Sequence, residues 1–183
     1  MNTPSLQDKV VVVTGAGGGV GRSVAIELAK EGAQVVVNDL GVSLNGEQEK
    51  LSAAQEVVNE ITAFGGKAIA NTLSVSEWDS AEAIIAAAIT AFGRVDAVVN
   101  SAGILRDSIF HKMTPSDFDS VIKVHLYGAF NMSRAAAVHF REQGAGALGH
   151  MTSTSGLIGG IGQANYEKKK MGIVGLSRSI AMD

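Results

Sequence analysis

No cysteine occurs among the 183 residues, which excludes disulfides, thiolate metal sites and a cysteine nucleophile. No apolar run approaches the roughly 18 residues that a membrane-spanning helix needs; the longest, Ala83 to Ile89, is far shorter. The opening Met1-Asn2-Thr3-Pro4-Ser5 has no basic segment followed by an apolar one, so a signal peptide is not expected. Basic clusters are also missing. The 15 Lys and Arg stand against 18 Asp and Glu, a net charge of −3, which gives no reason to expect nucleic acid as a partner. Charged residues reach only 18% and hydrophobic ones 46%, so disorder is excluded and one folded domain over 1–183 is expected. Glycine is what the chain has in excess: 22 of 183 residues, against a usual share of ~7%.

The apolar pattern alternates between two periods. Val10-Val11-Val12-Val13 is a continuous β-branched run, as in a strand covered on both faces. A glycine-rich stretch, Gly15 to Gly21, leads into a helical pattern through Val24, Ile26, Leu28 and Ala29 that Gly32 ends. Val35-Val36-Val37 is a second strand closing on Asn38-Asp39, followed by a polar loop over 41–46 and a helix around 50–64. Further strands are expected at 67–73, 95–100 and 147–152. Ser76-Glu77-Trp78-Asp79 suggests a capping box opening a helix to Phe92. Thr114-Pro115 opens a long helix to about Glu142, and a last helix runs from about Asn165 to Met182. Alternating strands and helices predict an α/β domain: a Rossmann-like, doubly wound parallel sheet flanked by helices. Right-handed crossovers then place the loops after the first, second and fourth strands along one edge, where such sheets bind ligands.

Three groups of residues carry chemistry. The strand–glycine loop–helix over 10–31 is the setting of a dinucleotide fingerprint, in which glycines let the backbone approach a pyrophosphate at a helix N-terminus. A Walker A loop is excluded, because Ala16 stands where glycine is needed and Arg22 where lysine is needed. Asp39 follows Gly15 by 24 residues at the end of the second strand, where a carboxylate accepts hydrogen bonds from an adenosine ribose and repels a 2′-phosphate. That favours NAD over NADP; Arg22, a potential phosphate partner, is the contrary feature. Tyr166 and Lys170, four apart on a predicted helix, share one face. An ammonium beside a phenol lowers its pKa and makes proton exchange with an alcohol or carbonyl feasible. Ser153, thirteen residues before Tyr166, is placed to bond the same substrate oxygen.

In this order the features resemble the short-chain dehydrogenase/reductase family. Thr14-Gly15-Ala16-Gly17-Gly18-Gly19-Val20-Gly21 fits its TGxxxGxG loop, Asn100-Ser101-Ala102-Gly103 fits its NNAG segment with Ser101 as a departure, and Ser153, Tyr166 and Lys170 match its catalytic serine and YxxxK. The resemblance implies catalysis by Ser153, Tyr166 and Lys170, and NAD held by Gly15, Gly19, Val20, Gly21, Asp39, Asn100, Ala102, Gly103, Tyr166 and Lys170. Val37 to Gly41, Ala102 to Asp107, Val124-His125-Leu126 and Gly162 to Tyr166 are more closely similar to one branch. That branch is the (3R)-hydroxyacyl-CoA dehydrogenase domains of peroxisomal multifunctional β-oxidation enzymes and their bacterial relatives. It implies a 3-hydroxyacyl-CoA-type alcohol as substrate, a homodimer or homotetramer, and a cytoplasmic location, or a peroxisomal one in a eukaryote. His125 stands where most family members have a catalytic asparagine.

Some features depart from the family. Glu167, Lys168 and Lys169 replace small residues on the helix that packs against a partner subunit. Leu73 stands near a position where the family often has an adenine-binding aspartate. His111, His139 and His150 read as surface or strand-edge residues, with no spacing that suggests a metal. The family's chains are longer, so its last strands and substrate-covering helices are expected to be missing from 1–183, leaving the strand before Ser153 at a sheet edge. Two alternatives stay open: an NADPH-dependent 3-oxoacyl or carbonyl reductase, and a nucleotide-binding fragment without turnover.

Overall fold

Valine runs build the centre of the protein. The computed structural model describes residues 5–41, 53–153, 162 and 164–183, with 165–170 described as backbone only. In chain order the elements are β1 (Val10–Thr14), α1 (Gly19–Lys30), β2 (Gln34–Asn38), α2 (Ala53–Ala63), β3 (Lys67–Asn71), α3 (Trp78–Phe92) and β4 (Ala97–Asn100). A short 3₁₀ turn (Phe110–Lys112), α4 (Pro115–Ile122), a π-helical segment (Lys123–Tyr127), α5 (Gly128–Gln143), β5 (Ala147–His150) and α6 (Ala164–Ile180) follow. The five strands form one parallel sheet in the order β3-β2-β1-β4-β5. This is the Rossmann-like, doubly wound arrangement that the strand–helix alternation predicts.

Both faces of the sheet are covered, which is why β1 and β2 are unbroken valine runs rather than alternating ones. Val10, Val12, Val36 and Val98 pack against Ile84, Ile85 and Ala88 of α3 and Met132 and Ala136 of α5. Val11, Val13, Val35 and Val37 turn the other way, onto Ala25, Ile26 and Ala29 of α1 and Val57, Val58 and Ile61 of α2. β5 lies at the edge of the described sheet, as expected of the strand before Ser153.

Local polar chemistry moves several boundaries. β3 stops at Asn71 rather than Leu73 because the Asn71 side-chain oxygen accepts from the Leu73 N–H (2.9 Å), an Asx turn that ends pairing. The capping box expected at Ser76 does not form. Glu77 is the N-cap of α3 without a side-chain bond, and the Ser76 hydroxyl pairs instead with the Ser74 hydroxyl at 2.7 Å. Thr114 does cap α4, its Oγ1 accepting from the Asp117 N–H while the Asp117 carboxylate accepts from the Thr114 N–H. The long helix expected from there continues through the π segment into α5. The loop over 42–46 and the first residues of the helix expected from 50 lie outside the described residues.

Opposite the ligand edge, Asp96 clamps the start of the sheet. Its Oδ2 accepts from the Val10 N–H (2.9 Å) and Arg94 Nε (2.8 Å), while Oδ1 accepts from Arg94 Nη2 (2.7 Å) and Lys9 Nζ (3.4 Å). Burial alone would raise the Asp96 pKa. The Val10 N–H and the Arg94 and Lys9 charges outweigh it and hold the carboxyl below its ordinary 3.8. A folded-state pKa below the unfolded one stabilises the fold at pH values above the unfolded pKa, and that contribution disappears as pH falls through the folded pKa. Asp96→Asn is therefore expected to cost about 1–3 kcal/mol at pH 7. The gap between wild type and variant, measured by urea unfolding, should narrow steadily from pH 4 downward.

Candidate functional site

The carboxyl ends of the strands align. Asn71, Asn38, Thr14, Asn100 and His150 occupy one register row across the sheet, and Thr14, Asn38 and Asn100 are buried. Buried polar groups need partners, and each of these finds one in a loop or a neighbouring element. The Asn38 amide donates to Asn71 Oδ1 (3.0 Å) and to the Leu73 carbonyl (2.9 Å). Thr14 Oγ1 accepts from the N–H groups of both Ser101 and Ala102 (3.2 Å each) and donates to the Val99 carbonyl (3.4 Å). Asn131, inside α5, donates to the Val75 carbonyl (3.1 Å) and holds the loop after β3 from the other side.

β1 and β4 flank the point where the strand order reverses, so the crevice beyond their ends is where this topology binds ligands. Gly15 leaves β1 with a φ of +64°, and a Cβ there would lie 2.6 Å from Ala102 Cα. Gly21, on the first turn of α1, packs on the Gly15 carbonyl with no room for a side chain. By contrast, Gly18 and Gly19 face open space and Val20 is 63% exposed. α1 begins there with no side-chain cap and no acidic residue in its first turn. Unmet N–H groups, positive helix dipole and open glycines fit a pyrophosphate.

Asp39 lies beside this loop. Its Oδ2 accepts from the Gly17 N–H (2.8 Å) and its Oδ1 from the Gly41 N–H (2.8 Å), and each oxygen keeps lone pairs for a diol. A nicotinamide dinucleotide would fit the residues present, with the open N–H groups at Gly18–Val20 available to its phosphates and the Asp39 carboxylate to a ribose diol. Arg22, the contrary feature, is paired with Glu60 of α2. Leu73 is exposed and its backbone N–H is taken by Asn71.

Asn100 and Gly103 have internal roles. The Asn100 amide points between α5 and β5, donating to Ser133 Oγ (3.4 Å) and His150 Nδ1 (3.2 Å). His150 is therefore an inward-facing edge-strand residue. Burial lowers its pKa; with Nδ1 accepting, the proton sits on Nε2, a buried atom without a hydrogen-bond partner among the described residues. Gly103 lies flat against the His125 ring, and any Cβ would overlap it. His125 is buried in the π segment, its Nε2 accepting from the Ile104 N–H (2.9 Å). A single π turn aims a side chain that a regular helix would carry elsewhere. Thr14, Asn100, His125, Met151 and Ile173 are among the residues that line a partly open pocket of about 10 Å³, close to the room one water needs.

Ser153 lies half-buried three residues beyond β5. Positions 166 and 170 fall one turn apart near the start of α6; the side chains of Tyr166 and Lys170 lie outside the described residues. α6 is seated by buried Ile173 and by Gly172 against Leu126 of the π segment. The Ser108 N–H donates to the Gly162 carbonyl (2.9 Å), joining the loop after β4 to the approach to α6. Motif spacing does not show the Thr14 hydroxyl bridge, the Asn38–Asn71 pair or the Arg22–Glu60 pair, because their partners are distant in sequence.

Residues 9–183 match the family model for short chain dehydrogenases. The chain is 53% identical over 180 residues to a short-chain type dehydrogenase/reductase of Mycobacterium tuberculosis, covering 98% of this chain and 63% of that protein. It is 50% identical over 179 residues to the peroxisomal hydratase-dehydrogenase-epimerase of Saccharomyces cerevisiae, covering 98% of this chain and 20% of the relative. A crystal structure of a short chain dehydrogenase from Mycobacterium avium matches with a TM-score of 0.86 at 46% identity, over 93% of this chain and 61% of that one. The chain thus spans less than two thirds of each of these relatives.

The glycines of the loop should separate by mutation. Gly15→Ala meets both a left-handed backbone and the Ala102 backbone and is expected to cost about 1–3 kcal/mol or more. Gly18→Ala, in extended backbone facing open space, should stay within about 0.5 kcal/mol of wild type. Thermal unfolding of the two variants side by side checks the contrast.

Proposed function

The chain belongs to the short-chain dehydrogenase/reductase family, and from that premise we propose that it is an NAD-dependent oxidoreductase interconverting a secondary alcohol and a ketone. A 3-hydroxyacyl-CoA-type molecule is the proposed substrate, within one NAD-binding domain over 1–183. The observation that carries the reading is the Asp39 carboxylate, bonded to the Gly17 N–H at 2.8 Å beside the uncapped start of α1. An acid in that place accepts both ribose hydroxyls and repels a 2′-phosphate. An NADPH-dependent reductase would need a cation there, and Arg22 is already paired with Glu60.

When bound, a nicotinamide would supply the two-electron hydride chemistry. The chain's own residues handle the proton and the geometry. Tyr166 takes the hydroxyl proton in oxidation and returns it in reduction; Lys170 stabilises the phenolate and so lowers the phenol's pKa toward the working range. Ser153 holds the substrate oxygen, and its hydrogen bond strengthens as that oxygen gains charge. α6 supports this assignment by setting positions 166 and 170 one turn apart, and the Ser108–Gly162 bond ties its approach to the loop after β4. The acyl-CoA class is supported by the segments shared with the peroxisomal branch and by the 50% identity to the yeast hydratase-dehydrogenase-epimerase. The family's dimer or tetramer is part of the same reading. Exposed Tyr127, Phe130 and Val138 at the start and along one side of α5 supply apolar surface for it. The cytoplasmic or peroxisomal location follows the branch; among the described residues no helix is long and apolar enough to cross a membrane.

Turnover of a panel of 3-hydroxyacyl-CoA and steroid alcohols, with NAD or NADP, tests the assignment. Tyr166→Phe should lower kcat by at least about 100-fold, the scale of a lost general acid–base group, while NAD affinity changes little. Substantial activity in that variant would overturn the mechanism, and NAD binding by wild type without turnover of any panel member would favour the fragment alternative. Asp39→Ala should weaken NAD and narrow its advantage over NADP, read by fluorescence titration of both.

A further inference from the structure

Arg22 is a cation beside the glycine loop of the proposed cofactor site, and it is paired with a carboxylate of the neighbouring helix. It sits on the first turn of α1, its N–H donating to the Gly18 carbonyl (3.1 Å). The glycine loop, Asp39 and the start of α2 converge nearby: a Cβ on Gly17 would lie 2.7 Å from both Asp39 Cγ and Ala53 Cβ. A guanidinium rooted here is within one helical turn of the open glycines. Such a group would ordinarily favour an extra phosphate on the ribose.

The guanidinium is engaged on α2. Its Nη2 pairs with Glu60 Oε2 on α2, while the Asp39 carboxylate takes the Gly17 and Gly41 N–H groups instead. α1 and α2 pack side by side on the same face of the sheet, through Ala25, Ile26, Val57 and Ile61, so their spacing fixes the pair. Both members are roughly half exposed, so the pair adds little to stability. Its consequence is positional and electrostatic: Glu60 neutralises the loop's cation and holds it on the α2 side.

We propose that Glu60 is a specificity-determining residue, which keeps the site selective for NAD by tethering Arg22 away from the place a 2′-phosphate would occupy. Asp39 repels that phosphate, and the Glu60 tether withholds its counter-charge. This rests on the reading that a nicotinamide dinucleotide occupies the cleft. Two elements then set cofactor choice, and removing Asp39 alone leaves the second in place.

A double-mutant cycle in an Asp39→Ser background isolates the tether, with NAD and NADP affinities measured by fluorescence titration. Adding Glu60→Gln should tighten NADP by about three- to fivefold, the worth of an exposed ion pair, with NAD affinity essentially unchanged. In Asp39→Ser/Arg22→Ala, adding Glu60→Gln should change neither. An unchanged NADP-to-NAD ratio on adding Glu60→Gln overturns the proposal. So does a gain that persists without Arg22, since Glu60 would then act only as a repelling charge. If the wild-type protein binds no NAD, the functional reading falls and this inference with it; NAD binding with a flat cycle defeats the inference alone.

Discussion

The close approach of Gly15 to Ala102 at the ends of β1 and β4 is the constraint on which the rest depends. Two backbones come within contact there because one residue has no side chain and the other a small one. The Thr14 hydroxyl holds them, accepting from two successive N–H groups of the β4 turn. Gly21 then folds back on the Gly15 carbonyl, which sets the direction of α1. With that direction fixed, the helix's uncapped N–H groups open onto the crevice, and the two central strands cannot shift register without breaking the Thr14 bonds.

The same logic extends along the sheet edge. Each strand is apolar through its middle, and its last residue is polar in all five. A buried polar atom without a partner costs free energy, so Asn38, Thr14 and Asn100 hold neighbouring groups rather than water. The row separates the core from the chemistry below the loops. At the β5 end it is incomplete, where His150 Nε2 is buried without a partner among the described residues. The chain spans only part of its relatives, and this is the edge of the described sheet.

Much of this is legible in the chain itself. The valine runs, the glycine cluster and the strand–helix alternation predict the parallel sheet and its ligand edge. Asp39 stands beside the loop, as its place after β2 suggests. Residues with a second task are harder to read. Asn100, expected from its motif to bind the cofactor, commits its amide to Ser133 and His150, because a strand's last side chain faces whichever helix covers it. Asn71 ends β3 two residues early through a bond within its own turn, a local competition that apolar periodicity does not register. Ser76 offers an N-cap in sequence and is drawn to Ser74 in space. The side chains of Tyr166 and Lys170 lie outside the described residues; their spacing on a helix is what the backbone adds.

What the sequence determined by itself is the class of fold, the family and the identity of the groups at the cofactor loop. These follow from periodicity and from short motifs, which local backbone geometry enforces. Tertiary structure alone decided which of those groups are free. Arg22 and Glu60 are 38 residues apart, and only the packing of α1 on α2 makes them a pair. His125 becomes the wall behind Gly103 because a π turn aims it there. Pairing between distant residues depends on how the helices pack, and no spacing in the chain encodes it.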